Sequence, residues 1–281
     1  MRFSVIIPTI HRVDELLLLL NSLQKQTFQD FEILIIDQNE DNILDKELVH
    51  FKDSLEIKQI KTPVKGASNA RNIGIQNALG EILTFPDDDC EFFDNYLEQI
   101  DHYFKQHKVD GITVTTMDKN DGKPISILLA STEQKITRNN ILKTVIEAGI
   151  IIKSNQLEDV LFDDAMGVGT SKSEYWSDEG PDFILHLINR GKHFVFCPQF
   201  KMYHPNPVKK YDKKTALRSY QYGKGRGYFL KKHKFGIFSI SYYLSLYIIG
   251  ALKGMVFLNP QMINYFLNGF KGRYEGYFQS E

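Results

Sequence analysis

Three consecutive aspartates, Asp87, Asp88 and Asp89, are the residues of this sequence best suited to chemistry. Carboxylates this close together repel one another and raise each other's pKa unless a cation neutralises them. A divalent ion such as Mg²⁺ or Mn²⁺ takes hard oxygen ligands and commonly bridges carboxylates to phosphate oxygens. The triplet therefore predicts a metal site for a phosphorylated ligand, with a solvated acidic turn as the alternative.

The elements before the triplet alternate between short apolar strands and helices. We predict strands at Phe3 to Pro8, Phe31 to Ile36, Leu55 to Ile60 and Glu81 to Phe85, and helices at Val13 to Gln26 and Ser68 to Ala78. This alternation indicates an α/β fold with a Rossmann-like, mostly parallel sheet flanked by helices. Ligands of such sheets bind at the carboxyl ends of the strands, so residues 9–12, 37–42 and 86–89 are expected to converge.

The rest of the chain continues this pattern and then changes character. We predict helices at Asn95 to His107 and Pro181 to Asn189, strands at 109–116, 149–153, 193–197 and 199–203, and a loop-rich stretch up to Asn140. A boundary at Pro207 separates a sheet domain, 1–207, from a basic and aromatic helical appendage, 208–281.

Bulk properties exclude several classes of protein. The net charge of -1, from 34 basic and 35 acidic residues, gives no reason to expect a nucleic acid partner. Two distant cysteines, Cys90 and Cys197, indicate neither a disulfide framework nor a zinc site, and we expect packing residues. The apolar run in MRFSVIIPT is shorter than a signal-peptide core, so we expect a cytoplasmic protein.

The appendage contains an uncharged run, Phe235 to Leu252, that follows a cluster of lysines and arginines. The length of this run is borderline for a membrane span. Three alternatives stay open: a helix that packs on the protein, a helix lying on an anionic membrane surface, and a spanning helix. The second alternative would place the protein at the inner face of the plasma membrane.

Several segments, in this order within residues 1–205, resemble the landmarks of family 2 glycosyltransferases with the GT-A fold: VIIPTIHR, FEILIIDQNEDN, KGASNARNIGIQNALGEILTFPDDDC, SDEGPDF and PQFKMYHP. The ordered set is far more specific than any one member. The resemblance implies inverting transfer of a sugar from a nucleoside diphosphate donor, with UDP- or dTDP-linked sugars favoured, to a carbohydrate or lipid-linked acceptor. Together with the appendage, it suggests assembly of a bacterial-type surface polysaccharide.

In this family the loop after the first strand and the acid after the second hold the nucleoside. The resemblance therefore assigns nucleotide-sugar binding to Pro8, Thr9, His11, Arg12 and Asp37. A carboxylate can accept a hydrogen bond from a base N–H, and an imidazole can stack on a base. His11 is otherwise a loop residue that faces water.

The KGASNARN segment adds further donor contacts. Lys65, Gly66 and Ser68 lie where a helix begins, and small residues there allow a diphosphate to approach free N–H groups. Arg71 either reaches the diphosphate or forms a structural ion pair with Asp87.

The aspartate triplet matches the DXD motif of the family. The resemblance assigns Asp89 and Asp87 to a Mn²⁺ or Mg²⁺ ion and Asp88 to the donor, and it offers His204 as a further metal ligand. Imidazole is an acceptable ligand for Mn²⁺ beside carboxylate oxygens. His204 is otherwise a surface residue.

Inverting transfer needs a base that removes the proton of the acceptor hydroxyl. The family places this base in an acidic motif that reads Asp178, Glu179, Gly180, Pro181, Asp182 here, with glycine where aspartate is most frequent. Glu179 is our first choice and Asp178 or Asp182 the alternative, although Asp182 also suits a helix cap. Trp176 either stacks on the acceptor sugar or packs in the core.

Three alternative functions have less support from the sequence. A sugar nucleotidyltransferase shares the layout, but it needs a glycine-rich basic loop after the first strand, for which PTIHR is a poor substitute. A dinucleotide oxidoreductase has still less support, since no GxGxxG follows that strand. A catalytically silent nucleotide-sugar-binding or scaffold protein stays open because of Gly180.

Overall fold

The computed structural model describes residues 1–125, 129–172, 174–206, 208 and 210–280. The chain divides into two compact units. The first comprises Met1–Lys65, Asn69–Phe162 and Phe183–Asn206, and the second comprises Gly66–Ser68, Asp163–Asp182 and Pro207–Glu281. The proposed domain boundary at Pro207 falls on a residue outside the described ones and stays a prediction.

The first unit is built on one mixed sheet. Its strands are β1 (Phe3–Thr9), β2 (Phe31–Asp37), β3 (Ile57–Lys61), β4 (Ile82–Thr84), β5 (Gly111–Met117), β6 (Gln134–Lys135), β7 (Ile150–Lys153) and β8 (Phe194–Tyr203). They lie in the order β3-β2-β1-β4-β7-β5-β8-β6. The pairs β1/β2, β1/β4, β2/β3 and β5/β8 are parallel, and β7 and β6 pair antiparallel with their neighbours. The predicted mostly parallel sheet is confirmed.

Five helices connect these strands: α1 (Val13–Gln24), α2 (Asp45–Leu48), α3 (Ala67–Asn77), α4 (Tyr96–Gln106) and α5 (Glu179–Asn189). Every residue of β1 and β2 is buried, as expected of strands covered on both faces. The leucine-rich face of α1 packs in the same core, through Leu16, Leu19 and Leu23. The chain passes from one unit to the other within α3 and within α5.

The prediction of two strands at 193–197 and 199–203 is wrong, because β8 is one strand. Its pairing with β5 shifts after Cys197, and residues 198–200 form a bulge before pairing resumes at Lys201. Pro198 read as a strand break, since proline donates no ladder hydrogen bond, but a bulge accommodates it. The stretch expected to be loop-rich contains β6, while residues 126–128 lie outside the described ones.

The second unit contains three long helices, α6 (Lys213–Lys232), α7 (Ile237–Val256) and α8 (Pro260–Phe278). Helices α6 and α8 touch through glycines. A Cβ atom on Gly272 would lie 2.1 Å from the Tyr220 carbonyl oxygen, and one on Gly276 would lie 2.2 Å from that of Lys224. Only residues without a side chain permit such backbone contact.

Helix α7 contains the uncharged run of the sequence. Among the described residues it is the one helix long and apolar enough to cross a membrane, judged by length and composition alone. On one side it packs against α8, where a Cβ atom on Gly250 would lie 2.3 Å from the Phe266 ring. Membrane contact by this helix stays a prediction.

Candidate functional site

The loops after β1 and β2 meet, as the strand order requires. The Thr9 carbonyl accepts a hydrogen bond from the Gln38 amide at 3.0 Å. The His11 amide donates to Asn39 Oδ1 at 2.8 Å, and His11 has a positive φ of 54°. The strained backbone at an exposed imidazole is consistent with a ligand-facing loop.

The loop after β4 carries the aspartate triplet, and Asp87 lies between two cationic groups. Arg71 Nη2 donates to Asp87 Oδ1 at 2.8 Å, and His204 Nε2 lies 3.4 Å from Asp87 Oδ2. Arg71 is only 1% exposed, so its charge requires this partner. The ion pair with Asp87 is therefore present, and a contact of Arg71 with a diphosphate stays a prediction.

Asp88 and Asp89 share the guanidinium group of Arg12. Arg12 Nη1 lies 3.0 Å from Asp88 Oδ1 and 2.7 Å from Asp89 Oδ2. Asp89 also faces His204, whose Nε2 lies 3.5 Å from its Oδ1. Since His204 Nδ1 donates to the Pro205 carbonyl at 2.8 Å, the Nε2 atom is the one directed at the carboxylates.

Burial and mutual charge separate the pKa values of these groups. Burial raises the pKa of Asp88 to about 7 against the opposing charge of Arg12, and burial also raises the pKa of Asp89. Burial alone would raise the pKa of Asp87, but His204 and Arg71 hold it well below its usual range. Burial lowers the pKa of His204, yet Asp87 and Asp89 outweigh it and raise the pKa to about 9.

The chemistry of this cluster fits a divalent metal. Asp87, Asp89 and His204 each offer a ligand atom, and these atoms lie within 4.8 Å of one another. Asp89 Oδ1 is buried and lacks a hydrogen-bond partner in the described part of the chain. Only the His204 ring, with Nε2 at 3.5 Å, faces this oxygen, and a metal ion bound directly to it would offset the cost of its burial more fully. The three residues that the resemblance assigned to the metal are thus brought together.

A second cluster of polar groups surrounds the buried Asp37 at the end of β2. Asp37 Oδ1 accepts from the Asn39 side-chain amide at 2.7 Å, and Oδ2 accepts from Gln59 Nε2 at 2.8 Å. These amides fix the orientation of the buried carboxylate. A carboxylate has further lone pairs, so Asp37 can still accept a hydrogen bond from a base.

The KGASNARN segment is divided between the two units. Lys65 belongs to the first, where its Nζ donates to the Gln38 carbonyl. Gly66, which has a φ of 119°, and Ser68 belong to the second. The Ala67 amide donates to the Val168 carbonyl at 3.0 Å and Ser68 Oγ to that of Met166 at 2.7 Å. These two donors at the start of α3 are therefore used within the protein.

The acidic motif lies in the second unit, and its first member is held by α6. Asp178 accepts two hydrogen bonds from Arg226, from Nε at 2.5 Å and from Nη2 at 2.8 Å. Asp178 also has a positive φ of 64°, a strained conformation for a residue with a side chain. Ser177 Oγ donates to the Tyr222 carbonyl at 2.9 Å. Helix α6 thus fixes the backbone directly before Glu179.

The expectation that Asp182 caps the helix is wrong, because α5 begins at Glu179 and Asp182 lies inside it. Pro181 can occupy the first turn, where its missing N–H group has no helical partner anyway. Asp182 instead binds His233 Nε2 at 2.7 Å and Lys232 Nζ at 2.8 Å. Burial alone would raise the pKa of Asp182, but His233 and Lys232 outweigh burial and lower it.

Glu179 is buried beside Gly167, whose φ is 99°. A Cβ atom at position 167 would lie 3.2 Å from the Glu179 carboxyl carbon. The positive φ and the close carboxylate make glycine necessary at 167.

Trp176 is half-buried in the same segment, and both cysteines are buried and free.

Sequence reasoning missed the partners that orient the acids: Asn39, Gln59, Arg226, Lys232 and His233. Asn39 lies in the segment FEILIIDQNEDN, two residues after Asp37, where its amide side chain is visible in the sequence. The cations of α6 were read only as part of a basic surface cluster. Ion pairs with acids about fifty positions earlier leave no periodic signal in the sequence.

The chain is similar in sequence to known glycosyltransferases. TarS of Staphylococcus aureus, a poly(ribitol-phosphate) beta-N-acetylglucosaminyltransferase, is 26% identical over 164 residues, which cover 57% of this chain and 29% of that protein. Matches to the first three curated relatives span between 16% and 29% of their length.

Solved structures share the fold. TarS residues 1–349 with UDP-GlcNAc has a TM-score of 0.61 at 17% identity, over 98% of this chain and 91% of that one. A mannosyltransferase of Pyrobaculum calidifontis with GDP-Man and Mn²⁺ has a TM-score of 0.66 at 13% identity, over 100% of this chain and 88% of that one. The sheet and its flanking helices form a GT-A fold.

The family model described as glycosyl transferase family 2 matches residues 4–152, a segment that runs from β1 to β7. This segment includes the strand ends that hold Asp37 and the aspartate triplet. Because the match extends over more than half of the chain, the protein belongs to glycosyl transferase family 2.

Proposed function

We propose that the chain transfers a sugar, with inversion, from a nucleoside diphosphate donor to a carbohydrate or lipid-linked acceptor. The observation that carries this proposal is the convergence of Asp87, Asp89 and His204 after two strands of the sheet. A Mn²⁺ or Mg²⁺ ion held there would supply Lewis-acid stabilisation of the charge that grows on the departing diphosphate.

The donor is bound by the first unit. Asp37, oriented by Asn39 and Gln59, accepts a hydrogen bond from the base, and His11 lies on the adjoining loop. Arg12 balances the charge of the aspartate triplet and contacts the diphosphate. The TarS structure holds UDP-GlcNAc, which supports a UDP- or dTDP-linked donor for this chain.

Glu179 is the base in this proposal. The Asp178 carboxylate is bound on both oxygens by Arg226, and Asp182 is bound by Lys232 and His233. Arg226 occupies both oxygens of Asp178, while the partners of Asp182 occupy one of its oxygens and, against the effect of burial, keep its pKa low. Glu179 takes the proton of the acceptor hydroxyl while its oxygen attacks the anomeric carbon and the bond to the diphosphate breaks.

A relative of the chain, TarS, and the basic appendage support a carbohydrate or lipid-linked acceptor. TarS acts on a poly(ribitol-phosphate) polymer, which supports a role in bacterial-type surface polysaccharide synthesis. Synthesis with cytoplasmic nucleotide sugars would place the protein in the cytoplasm or at the inner face of the plasma membrane.

The test is release of nucleoside diphosphate from a panel of sugar nucleotides, with Mn²⁺, Mg²⁺ or EDTA, by the wild type and by Asp89→Ala. We expect metal-dependent release from one donor and its loss in the variant. Nucleotide binding that depends on metal, without turnover on any donor or acceptor, would instead indicate a catalytically silent binder.

A further inference from the structure

Helix α7 presents an apolar face that is exposed in the described part of the chain. Phe238, Tyr242, Ile249, Leu252 and Val256 are exposed and lie three, four or seven positions apart, which places them along one side of the helix. We call these five residues, together with Phe257 and Leu258 directly after the helix, the α7 face. Phe238 at one end is 89% exposed and Leu258 at the other is 88% exposed. Large apolar patches of this kind mark sites of association.

The opposite side of α7 is closed by protein. Ile240, Tyr243 and Ala251 are buried there, and Gly254 approaches Ile263 of α8 so closely that a Cβ atom would lie 2.8 Å from it. Helix α7 thus has one side against protein and an exposed apolar side, the arrangement in which an interfacial helix lies flat with its apolar side in lipid.

Charges at both ends of the α7 face identify the kind of partner. Lys234 precedes the helix and Lys253 lies near its end, and both are exposed. No acidic residue occurs between Asp212 and Glu275, so nothing on these helices counters the lysines in that interval. Anionic headgroups attract basic residues at the margin of an apolar face.

The same charges disfavour a second copy of the chain as the occupant. A two-fold axis through the α7 face would bring the lysines of the two copies together, and like charges at an interface oppose association.

The polar groups within the face also favour a shallow position of the helix in the bilayer. Ser245 lies between the apolar residues, and its hydroxyl already donates to the Tyr242 carbonyl at 2.7 Å.

We propose that the α7 face docks on the surface of a bilayer containing anionic lipid, with the helix lying in the plane of the interface and its lysines at the headgroups. Phe257 and Leu258, in the turn between α7 and α8, would insert beside it. This surface is inferred independently of glycosyl transfer.

The test is co-sedimentation of the full chain with phosphatidylcholine vesicles, with or without phosphatidylglycerol. We expect binding only to the anionic vesicles, with a decline as salt increases. Leu252→Ser with Phe257→Ser should lower the partition coefficient by at least about tenfold, because two large apolar contacts are lost. Lys234→Gln and Lys253→Gln should each lower it by about fivefold.

Leu79→Ser is the matched control, because Leu79 is an exposed leucine of the first unit, 74% accessible, and its replacement should leave vesicle binding unchanged. Circular dichroism of each variant verifies its helix content. Failure of the wild type to bind anionic vesicles would overturn the proposal, as would retained binding by the apolar double variant. A dimer that Leu252→Ser dissociates, seen by sedimentation velocity without vesicle binding, would assign the face to a second copy. Because binding is measured without donor or acceptor, its failure leaves the proposed transfer untouched.

Discussion

Asp89 holds a buried oxygen that lacks a hydrogen-bond donor in the described part of the chain, so it should be the most sensitive member of the triplet. We expect Asp89→Asn to lower metal-dependent release of nucleoside diphosphate by about 100-fold, the scale of losing one electrostatic contact in a transition state. The exposed Asp53 provides the control Asp53→Asn. A Mn²⁺ titration should show weaker binding for Asp89→Asn only, and equal affinity would contradict the assignment.

The raised pKa of His204 predicts how pH affects the metal-free protein and its metal binding. The pKa lies at about 9, above the ordinary 6.5, so protonated His204 stabilises the folded state below pH 6.5 and this stability is lost as pH rises towards 9. Metal binding requires the neutral ring, so affinity should rise by about tenfold per pH unit below that pKa.

Urea unfolding and Mn²⁺ titration of chelator-treated protein across this pH range measure both effects. Asp88, with a pKa raised by burial to about 7, changes stability in the same direction, so the His204→Gln variant is needed to isolate the histidine. A pH dependence of metal affinity that the variant leaves unchanged would rule out His204 as a ligand.

Glu179 and Asp182 should respond differently to loss of charge. Glu179→Gln should lower kcat by about 100-fold or more and leave the affinity for the donor unchanged, as expected for a general base. Asp182→Asn should instead lower the free energy of unfolding by roughly 1–3 kcal/mol, since it removes the charged partner of His233 and one of the two carboxylates that bind Lys232. Kinetics and urea unfolding of both variants distinguish the roles, and the reverse pattern would make Asp182 the base.

At the scale of elements, the glycines of α6 and α8 set how closely these helices pack. We expect Gly272→Ala to lower the free energy of unfolding by about 1–3 kcal/mol, because its methyl group would meet the Tyr220 carbonyl and force the helices apart. Gly236→Ala is the matched control, since no atom lies within 4 Å of its added methyl group. Thermal unfolding should show a lower midpoint for Gly272→Ala alone, and equal midpoints would mean that the contact relaxes.

The elements also show how far the sequence predicts the fold. Continuous apolar runs such as those of β1 and β2 were predicted to within a residue, because strands buried on both faces need such runs. The two-residue β6 has no periodicity to detect, and Pro198 hid the continuity of β8. In the site, the positions of the triplet and Asp37 at the ends of predicted strands indicate that they lie near one another. Arg226, in contrast, contacts Asp178 through tertiary packing that no local pattern encodes.

At the scale of the whole molecule, the candidate base depends on the C-terminal helices. Arg226, Lys232 and His233 hold the acids on either side of Glu179, and all three lie on or directly after α6. A chain shortened to residues 1–206 retains the metal cluster but leaves Asp178 and Asp182 without these partners. We expect it to lose sugar transfer and to be cleaved within 163–182.

Limited proteolysis followed by mass spectrometry identifies those cleavage sites, with the full chain as control. Protection of 163–182 together with retained transfer by the shortened chain would show that the C-terminal helices serve another purpose.

The bulge in β8 determines which changes of chain length residues 198–200 can accept. Cys197 pairs with Val114 and Lys201 pairs with the next residue, Thr115, so residues 198–200 lie outside the ladder. The pairing with β5, and not the number of residues in the bulge, therefore determines which face each later side chain takes. In related sequences that keep His204, we expect insertions and deletions within the bulge in odd as well as even numbers, because the ladder can resume at the same partner.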